Sequence, residues 1–95
     1  MDINLSGIDY KDVALTRDVY GDGSLAVLLE EPSGEHVACV SAWLPVPPAD
    51  GCIWVKNYSE NAGVLEALVA EGLLEETGRV QASGFVHLQE ARVLV

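Results

Sequence analysis

No apolar run in this chain approaches the twenty or so residues that a membrane-spanning helix needs. Its first residues, MDINLSGIDYKD, lack both a cationic leader and a signal-type apolar block, so a cytoplasmic protein is expected. Cations are scarce: five Lys and Arg stand against fifteen Asp and Glu, a formal net charge of −10. Such a balance excludes binding to a phosphate backbone, which takes Lys and Arg able to displace counterions. It equally opposes anionic lipid surfaces. Cysteine is limited to Cys39 and Cys52, too few for a disulfide framework. Both sit in apolar strand contexts, VACVSAW and GCIWV, where a reduced thiol behaves as a small hydrophobe.

Chemistry-bearing motifs are also missing. There is no CxxC and no HExxH, and His36 and Cys39 are three apart, on opposite faces of a strand. Asp18 and Asp22 lack the regular oxygen-ligand spacing of a calcium loop. GDGS (21–24) has neither the lysine nor the following helix of a phosphate loop, and a hairpin turn accounts for it. Neither His36 nor His87 stands beside a nucleophile motif. No catalytic residue, metal ligand or cofactor is assigned, and an enzyme is not expected.

What is there is apolar: 49% of the 95 residues, enough for one domain, 1–95, with a single core. Residues 1–11 read as a loosely ordered arm. Residues 12–20, DVALTRDVY, alternate as a half-buried strand. Asp22-Gly23 supplies the positive-φ residues of a tight turn, and LAVLLEE (25–31) returns. After Pro32-Ser33-Gly34, EHVACVSAWLPV (35–46) is a longer strand. PVPPADG (45–51) is a loop, because its prolines lack ladder donors, and CIWVK (52–56) is a fourth strand.

A helix is expected over about 60–71. Ser59 is its N-cap and Glu60 lies in its first turn. Val64, Leu65, Leu68 and Val69 form its apolar stripe, and Gly72 is the left-handed residue that ends it. Thr77-Gly78-Arg79 reads as a turn. GFVHLQEARVLV (84–95) reads as a closing strand, bulged where its apolar alternation changes phase near Ala91. The expected fold is α+β: an antiparallel sheet of about five strands in ββββαβ order, with one helix on one face.

The densest polar stretch is KNYSENAG (56–63). Lys56, Asn57, Tyr58 and Asn61 form either a small recognition surface beside the helix or the internal bonding of a loop. Glu60, Glu66, Glu71, Glu75 and Glu76 lie on or just after the helix, with Glu60, Glu71 and Glu75 on one side of it. Asp18, Asp22, Glu30, Glu31 and Glu35 mark hairpin ends. Glu60, Glu66, Glu71, Glu75, Glu76, Asn57, Tyr58 and Asn61 are therefore the candidate partner-binding residues. The partner they suit is a basic protein surface, met as a monomer or a homodimer. A negative surface that only maintains solubility is the alternative, on a small accessory domain that self-associates through a sheet edge or Trp43 and Trp54.

From about Tyr20 to Leu94 the order of motifs resembles an uncharacterised small-domain family of plasmids, conjugative elements and phages. The matching pieces are SAWLP (41–45), WVKNYSEN (54–61), AEGLLEETGR (70–79) and SGF (83–85). The chain departs from it in having no aromatic-proline pair near its end. The resemblance implies a mobile-element setting and no established activity. Small acidic proteins of that setting resemble inhibitors of host defence, of anti-CRISPR or anti-restriction type, which occupy nucleic-acid-binding surfaces.

Overall fold

Three short antiparallel sheets and one helix make up the computed structural model, which describes residues 1–95. The strands are β1 (Ile3–Leu5), β2 (Ile8–Tyr10), β3 (Ala14–Val19), β4 (Leu25–Glu30), β5 (His36–Cys39), β6 (Ser41–Ala42), β7 (Cys52–Val55), β8 (Leu74–Ser83) and β9 (Val86–Val93). The helix α1 is Val64–Ala70. β1 pairs with β2, β3-β4-β5 form a second sheet, and the third runs β6-β7-β9-β8. The mixed, mainly antiparallel α+β class holds, with nine strands in place of about five.

Each added strand has a physical cause. Residues 1–11 are not a loose arm: Ile3 and Leu5 are buried, and they drive a hairpin whose turn is Ser6-Gly7. Val13 extends this end through reciprocal backbone bonds with Met1. The expected strand 35–46 breaks at Val40. There the amide of Val40 donates to Val27 of β4, while its carbonyl accepts from Lys56 beyond β7. One residue thus hands the chain from the second sheet to the third. Ser41 seals the corner, its Oγ accepting the Val27 amide at 3.0 Å.

The largest departure is β8. Gly72 ends α1 as expected, with φ of 74°. The Leu73 amide donates to Leu68 O and the Gly72 amide to Val69 O, the two bonds of a Schellman close. Leu74 is then buried and starts a ten-residue strand. Thr77-Gly78-Arg79 is not a turn but a bulge within that strand. Glu76 faces Ala91 and Val80 faces Gln89, so the three residues together oppose Glu90 alone. The bulge expected near Ala91 therefore lies on the neighbouring strand, and β9 is unbroken.

The phase change that suggested a bulge in β9 has another origin. Glu90 and Ala91 are both buried because this sheet is covered on two faces. Ile53, Val55, Leu74 and Ala91 face the main core, which they share with Ile3, Leu5, Val27, Leu29, Val64, Leu65 and Leu68. Trp54 and Glu90, paired across β7 and β9, face the other side. There the loop 45–51 covers them: Trp54 Nε1 donates to Val46 O at 2.8 Å, and the Ala49 amide donates to Glu90.

Candidate functional site

The stretch 56–63 does start the helix, but not through Ser59. Ser59 has φ of 58° and opens a single 3-10 turn, Ser59–Asn61, with no side-chain cap. Gly63, at φ of 95°, is the residue before α1 and offers no side chain. The acceptor comes instead from Asn57, whose Oδ1 takes the Leu65 amide at 3.1 Å. Its Nδ2 donates to both carboxylate oxygens of Glu66, each at 3.1 Å. Asn57 is thus a cap delivered from outside the helix, and Glu66 holds it in the correct flip.

The other members of the stretch are similarly engaged. Asn61 is 2% exposed and donates to the carbonyl of Cys39 at 2.7 Å. Lys56 Nζ lies 2.9 Å from Glu60 and 6.0 Å from the centre of the Tyr58 ring. The hydrogen bond from Lys56, joined by bonds from the Glu60 backbone amide and Ser59, holds the Glu60 carboxyl down at about 2. The same bond raises Lys56. Of the four polar residues weighed for recognition, Asn57 and Asn61 work inward, while half-exposed Tyr58 and Lys56 border the surface.

The acidic candidates separate. A seven-residue helix carries only Glu66, with Glu71 at its C-cap. Glu60 belongs to the 3-10 turn, and Glu75 and Glu76 lie on β8, alternating in face. The expected acidic ridge along one helix side is therefore not formed, because Gly72 stops the helix before Glu75. Glu71, Glu75 and Glu76 are exposed, and their carboxylates make no hydrogen bond within the chain. A different acidic grouping arises from strand register. Ala14 pairs with Glu30, and the Asp2 carboxylate accepts the Asp12 amide at 3.0 Å. Asp2, Asp12, Glu30 and Glu31 thus gather at one end. Glu71 reaches the same end, lining an apolar groove with Met1, Val13, Ala14, Leu15, Leu73 and Val95.

The back of the third sheet holds a cluster that the sequence reading did not find. Glu90 is 1% exposed, yet both of its carboxylate oxygens accept hydrogen bonds. Thr77 Oγ1 donates to Oε1 at 2.6 Å, and the Ala49 amide and Arg79 Nη1 donate to Oε2 at 2.9 and 2.8 Å. Burial pushes the Glu90 carboxyl up. The bonds from Thr77 and Ala49 and the charges of Arg79 and Arg92 outweigh it, so the group sits below the usual range. Arg79 also stacks over Trp54 at 5.4 Å. Arg79, still half exposed, thereby ties the bulge to β9. Gly78, at φ of 90°, makes this possible by letting Thr77 and Arg79 both point at Glu90. Trp54 is consequently 1% exposed and closed to self-association, whereas Trp43 is 53% exposed.

Trp43 borders a cleft of about 140 Å³ between the β3–β4 turn and the loop 43–48. The turn is a three-residue loop, Gly21-Asp22-Gly23, in which only Gly23 takes positive φ. Asp22 accepts from the Ser24 hydroxyl at 2.6 Å, the Ser24 amide at 2.9 Å and Trp43 Nε1 at 2.8 Å. These bonds, the Ser24 hydroxyl first, hold its carboxyl down at about 2.

Both cysteines are free thiols, Cys52 buried and Cys39 half-buried, and burial followed by the nearby Glu90 charge pushes Cys52 up. The register Ser41↔Val55 sets the two at opposite ends of the β6–β7 pair. No group of three or more His, Cys, Asp or Glu is placed to hold a metal ion. No helix is long and apolar enough to cross a membrane.

No family model, curated protein or solved structure matches the chain. The resemblance noted above therefore rests on its short motifs, and each of these occupies a structural node. WVKNYSEN supplies the back-face indole, the remote cap and the buried Asn61. AEGLLEETGR encodes the helix close and the bulge, and SGF ends β8 at Ser83 and supplies Gly84-Phe85, the two-residue turn of the β8–β9 hairpin.

Proposed function

We propose that this chain is a non-enzymatic binding protein whose acidic surface docks onto a basic groove of a nucleic-acid-handling complex. It would act as an inhibitor carried by a mobile element against host defence. The observation that supports this is the charge left unpaired. Of fifteen carboxylate side chains, two (Glu60 and Glu90) meet a cation, which leaves thirteen with no ion-pair partner. Mutual repulsion among them opposes the compact state, and a basic partner relieves it while speeding encounter.

The test is binding to a purified basic partner across ionic strength, with Glu71→Lys, Glu75→Lys and Glu76→Lys combined. None of these three carboxylates accepts a hydrogen bond within the chain and all are exposed, and circular dichroism checks that the variant keeps the parent fold. Affinity is expected to fall about tenfold or more between low and high salt, and again in the triple variant. Affinity indifferent to both salt and charge reversal overturns the reading.

The alternative, a self-associating accessory domain, has one observation in its favour. Phe85 is fully exposed at the tip of the β8–β9 hairpin, and Val80 is exposed on β8, the edge strand of the third sheet. Sedimentation decides it: a stable dimer that dissociates on Phe85→Ser supports this reading, and a monomer at all concentrations removes it.

A further inference from the structure

Two tryptophans of this chain each lie beside a carboxylate. Trp54 stands across the strand pair from Glu90, and Arg79 completes that arrangement, over the indole at 5.4 Å and 2.8 Å from Oε2. Trp43 lies against Asp22, its Nε1 donating to Oδ2 at 2.8 Å, which fixes the ring beside the charge. No cation of the chain joins this second pair. Lys56 and Arg79 are held by Glu60 and Glu90, Arg17 donates to the Val95 carbonyl, and Arg92 stands across from Glu75. Lys11 borders a different cleft, which Asp2 and Asp9 also line.

Counting acceptors shows what Asp22 still offers. Oδ1 takes both Ser24 donors, while Oδ2 takes only the indole, so one lone pair of Oδ2 remains. Trp43 is half exposed, and Tyr20, Pro45 and Pro47 line the same cleft. At about 140 Å³ the cleft is well below the roughly 300–1,000 Å³ of small-molecule sites, and suits a single side chain. Aromatic and proline walls with one ionised carboxylate select a flat, weakly hydrated cation, which is guanidinium in preference to ammonium.

We propose that the Asp22–Trp43 cleft binds an arginine side chain of a basic polypeptide, with Asp22 as counter-charge and Trp43 as stacking face. This rests on the reading of the chain as a binder of a basic protein, and gives that reading an anchoring point. The arrangement repeats in trans what Arg79 does in cis on Trp54 and Glu90. An anchor of this kind, an arginine stacked in a partly enclosed aromatic site, is the sort of contact that dominates an interface.

The probe is acetyl-tetra-arginine amide, titrated into the full chain while the Trp43 indole N–H is followed by NMR. The controls are its neutral tetra-citrulline isostere and the tetra-lysine peptide. A saturable shift at Trp43 is expected with tetra-arginine. Affinity should be about fivefold weaker for tetra-lysine, and about fivefold weaker in Asp22→Asn and in Trp43→Ala. Tetra-citrulline should leave the indole unmoved. The proposal is overturned if Trp43 does not shift, if tetra-citrulline shifts it equally, or if Asp22→Asn binds as well as the parent. Salt-dependent binding that perturbs only the amides around Glu71, Glu75 and Glu76 also overturns it, while leaving the acidic-surface reading in place.

Discussion

Glu90 on β9 stands directly across from Trp54 on β7, and through that pair a single buried carboxylate holds three segments distant in sequence. The loop 45–51 is held by the Ala49 amide, and the bulge of β8 by Thr77 and Arg79. Removing the acceptor strands those donors: Glu90→Ala is expected to cost about 2–3 kcal/mol, measured by denaturant unfolding followed by circular dichroism. Glu90→Gln, which keeps the shape and one acceptor, should cost less.

The same residue sets an acid limit. Its folded carboxyl sits below the ordinary glutamate value of 4.5, so folding favours the ionised form. The resulting stability is fully present above that ordinary value and is lost as pH falls through the folded one. Stability of the parent minus that of Glu90→Gln should therefore shrink on acidification below about pH 4.5 and stay constant from neutrality down to that point. A difference that grows on acidification would contradict the assignment.

Asn57→Ala removes the remote cap of α1 and is expected to cost about 1 kcal/mol. The local signature is faster hydrogen exchange at the Leu65 amide. Asn57→Asp should not rescue it, because a carboxylate would then face Glu66. Full stability in the aspartate variant would show that the Asn57–Glu66 contact is unimportant.

Gly78→Ala forces a Cβ onto a residue at φ of 90°, with no atom nearby to obstruct it. The penalty is therefore conformational, about 1–2 kcal/mol. If the bulge relaxes to avoid it, Arg79 should also leave the Trp54 ring, which the Trp54 ring-proton shifts would report. An unstrained Gly78→Ala protein with unchanged ring shifts would argue against a bulge under conformational demand.

Much of the framework was legible because local chemistry and tertiary demand agree. The turns at 21–24 and 32–34, the proline loop and the glycine close of α1 fall where expected, although the first turn is a three-residue loop in which Asp22 does not take the positive φ expected of it. β8 was not legible: Glu75-Glu76-Thr77-Gly78-Arg79 has no apolar alternation, and its strand geometry comes from pairing with β9. The N-terminal hairpin was hidden for a related reason, since only Ile3 and Leu5 are fully buried, with Met1 and Tyr10 partly so, and strands of three residues are too short to show a pattern. Ser59 carried a sound capping signal, but a neighbouring turn took it, and the cap moved to Asn57. Glu90 drew no reading at all, because nothing in its immediate sequence announces donors contributed by residues 49, 77 and 79.

The contrast between the two indoles has a practical side. Trp54 is sealed beneath the proline loop and an arginine, while Trp43 stands half open at the rim of its cleft. Neutral acrylamide should quench one and spare the other, so native fluorescence carries both a reporter of cleft occupancy and an internal reference for the integrity of the sheet beneath.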